Sequence, residues 1–72
     1  MAWALGAIGD RRGVPSLMKA MASPHADTRE QAAWALGAIG DPAATPALVN
    51  ALKDPSAGVR EQAAWALGAI GK

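Results

Sequence analysis

Three tryptophans, Trp3, Trp34 and Trp65, stand 31 residues apart, and two of them follow a Glu-Gln pair, Glu30-Gln31 and Glu61-Gln62. Flat rings rimmed by carboxylate and amide groups suit recognition of another protein by contact, and they supply no nucleophile, base or ligand set. The other polar residues do not fill that gap. His25 is the single histidine and has no neighbouring ligands, so it reads as a loop residue. Ser16, Ser23, Thr28, Thr45 and Ser56 have no base beside them, which leaves nucleophilic catalysis without a constellation. The L-G-A-I-G stretches lack the Lys-Ser/Thr pair and the preceding strand of a phosphate-binding loop. No catalytic residue, metal site or cofactor is expected.

Bulk properties exclude further classes. Seventy-two residues make at most one small domain with a thin stability margin, so help from a partner or a second copy is expected. The net charge is +1 and no basic run extends beyond Arg11-Arg12, which argues against nucleic acid or an anionic membrane as partner. The chain has no cysteine, so the reducing cytosol is only the default location. The apolar stretch Met1 to Gly9 is too short for a signal sequence or a membrane span, and a soluble chain is expected.

A repeat positions the tryptophans. The block REQAAWALGAIG from Arg29 to Gly40 recurs letter for letter from Arg60 to Gly71, and AWALGAIGD opens the chain at Ala2. Residues 3–33 and 34–64 share 18 identities in 31, Pro15 with Pro46, Leu17 with Leu48 and Pro24 with Pro55 among them. A period of this length signals stacked supersecondary units. Within one unit, Val59, Ala63, Ala66, Leu67 and Ile70 form a single apolar stripe at helical spacing, predicting a B helix from Ala57 to Ile70. Gly40 and Gly71 stand where left-handed C-terminal caps are wanted, and Asp41-Pro42 supplies an N-cap and a first helical residue. An A helix then carries Leu48, Val49, Ala51 and Leu52, tolerates Pro46 in its first turn, and ends near Lys53. Asp54-Pro55-Ser56 and Ser23-Pro24-His25 offer polar caps for the following B helices. The expected architecture is an all-α solenoid over 1–72: a partial B helix at 1–9, then units at 10–40 and 41–72.

On the B helix, Trp65 lies about 120° from the centre of the apolar stripe, on a face with Glu61, Gln62 and Ala69. Trp34 shares its face with Glu30, Gln31 and Ala38. Two readings stand open: an interface row, or rings lying flat on neighbouring B helices and arginine stems as packing. Gly37 and Gly68, beside Ala33 and Ala64, are expected to let adjacent helices approach closely.

The unit resembles HEAT-like repeats of the phycobilin-lyase kind and the artificial proteins built from their consensus. The likeness rests on the recurring A-L-G-x-I-G-D signature, the proline in the A helix and the V-R opening of the B helix. It implies that Glu30, Gln31, Trp34, Ala38, Glu61, Gln62, Trp65 and Ala69, with Trp3 and Ala7, face a concave, partner-binding side. It also implies that the arginine opening each B helix, Arg29 or Arg60, pairs with an acid of an adjacent unit or loop, Asp41 or Asp10. A related iron-dependent hydroxylase carries His-Glu where this chain has Glu30-Gln31 and Glu61-Gln62, so the likeness gives no oxygenase. The near-identity of the units is written equally by recent duplication and by consensus design.

The ends add one expectation. The first B helix keeps only Met1, Ala4, Leu5 and Ile8 of its stripe, and the last has no following A helix to cover Leu67 and Ile70. These flanks and the tryptophan row point to another copy of the chain as partner, as a homodimer or a larger assembly. In a head-to-tail variant, the last B helix of one copy replaces the short first one of another, closing into a ring or continuing as a fibre. The alternative function is a fragment of a phycobilin-lyase-like protein that handles a tetrapyrrole.

Overall fold

A computed structural model of the chain describes residues 13–71. Four α-helices follow one another: α1 (Val14–Ala20), α2 (Ala26–Ile39), α3 (Thr45–Ala51) and α4 (Ala57–Ile70), with a 3-10 turn at Pro42–Ala44 leading into α3. The short helices α1 and α3 are the predicted A helices, and α2 and α4 are the B helices. This is an all-α solenoid of helix pairs, and no strand occurs among the described residues.

Prolines set the length of the A helices. Pro15 and Pro46 sit in the first turn of α1 and α3, where a missing N–H leaves nothing unpaired. Asp41 caps the 3-10 turn by accepting the Ala43 N–H at 3.0 Å. The helix proper therefore starts at Thr45 and ends at Ala51, two turns in all. Only one narrow stripe of so short a helix can face inward, and Ala44, Leu48 and Ala51 take it. Val49 and Leu52, expected on the apolar face, are turned out with 48% and 41% of their surface exposed.

The B helices carry the expected stripe. Val59, Ala63 and Ala66 are fully buried, and Leu67 and Ile70 pack half-buried against the same core. The two exposed-flank candidates are thus partly used within the chain; Met1, Leu5 and Ile8 lie outside the described residues. Leu17, Leu36, Leu48 and Val59 are the largest side chains shut off completely, one from each helix, so the core is the seam where A and B helices meet. The broadest contact of the fold is B on B, α2 against α4. Gly37 makes it possible: a Cβ there would lie 2.7 Å from the Cα and Cβ of Ala66 and from Cζ3 of Trp65, too near for any side chain.

Of the two glycine caps, Gly40 is as expected and Gly71 is not. Gly40 is left-handed, with φ 76°, because the chain must reverse into Asp41-Pro42. Gly71 is right-handed, with φ −69°. Ser56 and His25 occupy the N-cap positions of α4 and α2 without capping through their side chains. The residue two places earlier ties each loop instead. Asp54 Oδ1 accepts the Ser56 N–H at 2.9 Å, and Ser23 Oγ accepts the His25 N–H at 3.1 Å.

Candidate functional site

The face carrying the predicted residues is held by α2 and α4 lying side by side. Trp34 and Trp65 stack with centroids 6.5 Å apart and planes 8° from parallel. A ring placed 120° off the stripe of its own helix is still wide enough to reach the next B helix, and Trp34 does so while also packing on the core. Trp65 covers one side of that stack and leaves 48% of its own surface open. The rings therefore pack against each other and remain available on the outer side. Trp3 lies outside the described residues.

Beside the stack runs an open groove of about 320 Å³ lined by Asp27, Glu30, Gln31, Trp34 and Gln62. Four of these were singled out in the sequence; Asp27 was not, although it lies one helical turn before Gln31 on the same face. Glu61 stands exposed outside the groove, Ala38 is exposed, and Ala69 is half-buried. Glu30 turns toward the first turn of α4, where the absent side chain of Gly58 gives its carboxylate room and the helix N-terminus favours negative charge. The groove thus offers a ring face, two carboxylates and two amides, with no cation in its lining. A second open groove, about 420 Å³, runs between the A helices past Met18, Met21, Ala47, Asn50, Ala51 and Lys53 and was not signalled by any motif.

The arginine that opens each B helix has a defined task. Arg29 donates from Nε and Nη2 to the two oxygens of Asp54, at 2.8 and 3.1 Å, and from Nη1 to the Ser23 carbonyl at 2.8 Å. Its acid is Asp54, in the loop between α3 and α4. It is not Asp41, whose carboxylate caps its own turn; Asp10 lies outside the described residues. Arg60 repeats the loop contact, donating to the Asp54 carbonyl at 2.7 Å. The Arg29 hydrogen bond first, then the Ser56 N–H, hold the Asp54 carboxyl below its usual range. A carboxyl so depressed stabilises the fold fully above its unfolded-state value, and that stability is lost as pH falls through the folded value. Asp54→Asn should therefore lower the melting temperature at neutral pH, and the gap to wild type should close below about pH 4. A constant gap on titration to lower pH would show that the ion pair does not couple to folding.

Among the described residues no group of three or more His, Cys, Asp or Glu could hold a metal ion. No described helix is long and apolar enough to cross a membrane. A search of curated proteins finds no match to this chain. The family model for HEAT repeats matches residues 1–68, nearly the whole sequence, and the chain belongs to the HEAT-repeat family.

Proposed function

We propose that this chain is a non-catalytic interaction scaffold that associates with copies of itself through the Trp34–Trp65 face and through the flanks of its outer B helices. HEAT repeats generally mediate protein–protein contacts and are typically non-catalytic, which supports this reading. The observation that carries the finer reading is Trp65: a large ring, 48% exposed, pinned by stacking on Trp34 beside a polar-rimmed groove. A ring already immobilised loses little entropy on contact, so its remaining surface is well used in an interface. Under this reading Glu30, Gln31 and Gln62 supply hydrogen bonds at the rim, and Glu61, Ala38 and Ala69 extend it. The unit division at residues 10–40 and 41–72 belongs to the same proposal.

The double variant Trp34→Ala, Trp65→Ala tests it. Each truncated interface tryptophan is expected to cost about 2 kcal/mol of association, which together is several hundredfold in the constant. Sedimentation of wild type and variant across a concentration series reads this directly. An unchanged assembly with a collapsed melting temperature would make the rings packing elements alone. The bilin-handling alternative calls for an enclosed cavity, whereas both grooves are open; adding a bilin and finding a shifted visible absorbance would favour it.

A further inference from the structure

The two layers of the fold close to different degrees. The B helices α2 and α4 lie directly on each other, α1 packs on α2 and α3 on α4, but α1 and α3 make no comparable contact. Between these A helices runs the open groove of about 420 Å³. Residue size explains why it stays open. Ala47 and Ala51 on α3 are too short to reach across, and Met18 and Met21 of α1 lie half-buried against the core with part of their surface left bare. Each A helix has seven residues, about 10 Å of length, which matches about three residues of an extended segment. Both walls belong to consecutive units, so the groove arises between repeats and not at the ends of the array.

Charge is divided between the same two layers. The A helices and the turns that end them carry Lys19, Lys53 and Asp54. Arg29 takes both oxygens of Asp54, so this acid adds no open negative charge, and among the described residues neither lysine is in an ion pair. The B helices carry Asp27, Glu30 and Glu61, while Arg29 and Arg60 are engaged with loop oxygens. The A side is therefore the positive one. Within the groove the positive group is Lys53, exposed just past the end of α3, and the exposed amide of Asn50 lies three residues before it.

We propose that the groove between α1 and α3 docks a short acidic segment of another protein, with an apolar side chain seated on Met18, Met21, Ala47 and Ala51 and a neighbouring carboxylate held by Lys53. Unbranched thioether side chains repack around an anchor of imperfect fit, and methionine is enriched at such contacts. An anchor that covers the methionines removes apolar surface from water, which supplies the affinity, and Lys53 selects the sign of the charge beside it. A basic neighbour would meet the Lys53 ammonium and find no carboxylate, since Asp54 is already bound on both oxygens. This surface belongs to the A helices and is separate from the tryptophan face, so it stands whether or not copies of the chain associate.

Methyl labelling of methionine reads the site directly, because Met18 and Met21 line it and Met1 is the one other methionine. The probe is N-acetyl-Leu-Glu-Glu amide, with N-acetyl-Leu-Gln-Gln amide as its neutral match. Both should shift the Met18 and Met21 signals, the acidic peptide saturating at about threefold lower concentration. Lys53→Gln should abolish that difference and leave the melting temperature unchanged, since Lys53 is exposed and lies outside α3. Ala47→Leu should weaken both peptides about tenfold or more by filling the groove. Met18 and Met21 signals that stay still up to millimolar peptide would overturn the docking, as would equal binding of the acidic and neutral peptides. Shifts confined to the tryptophan indoles would move the contact to the B helices and overturn it too. Broadening by phosphatidylserine vesicles without a response to either peptide would assign the groove to a lipid surface and sink the peptide reading.

Discussion

Leu36→Ala is expected to leave the chain largely unfolded at ambient temperature, while Leu67→Ala at the matching position of the other repeat should melt lower yet remain folded. Leu36 is shut off completely in the core, and Leu67 is half-buried. Removing a fully buried leucine costs about 2–5 kcal/mol, made of lost transfer energy and the cavity left behind. A domain of this length holds roughly 4–10 kcal/mol in total, so the loss takes much or all of the margin. At position 67 the gap opens toward solvent, part of the transfer term was never gained, and about half the penalty is expected. Urea titrations of both variants, followed by far-UV circular dichroism, give the two free energies. Equal losses would mean that the two leucines share one environment.

That pair of leucines also shows how far the sequence reaches. Helix positions, order and the inward stripe of the B helices follow from the 31-residue period, the stripe from Val59 to Ile70 and the punctuation by Gly40, Asp41 and Pro42, since each is a local signal. Identical letters cannot say which copy is covered, because cover is a property of the neighbour; Leu36 and Leu67 read alike and are packed differently. Arg29 illustrates the same limit from the polar side. The family resemblance implied an acidic partner for it, but the choice of Asp54 over Asp41 depends on a loop 25 residues along, brought close by stacking. The tryptophan face was legible as a face, with Glu30, Gln31, Trp34 and Gln62 drawn together as expected. The stacking of Trp34 on Trp65 was not, because a helical projection describes one helix and the stack belongs to two.

Alanine in place of glycine should therefore change sign between the repeats. In an exposed helix interior the replacement is favourable by about 0.5–1 kcal/mol, since alanine has less backbone freedom to lose on folding. Gly68 meets that condition: its Cβ would point into open space, so Gly68→Ala should raise stability by about that amount. At Gly37 the same methyl would lie 2.7 Å from Ala66 and Trp65, with a backbone Cα among the contacted atoms. Helix α4 would have to move away, and overpacking of this kind costs about 1–3 kcal/mol, which outweighs the propensity gain. Gly37→Ala should thus destabilise by about 1–2 kcal/mol and loosen the Trp34–Trp65 stack, a change visible in the near-ultraviolet dichroism of the tryptophans. The melts belong at low protein concentration, where the response read is that of the single chain. Shifts of the same sign for both substitutions would contradict the close approach of α2 and α4 at Gly37. Opposite signs, from two sites with the same Ala-Leu-Gly-Ala-Ile context, would trace the difference to the helix next door.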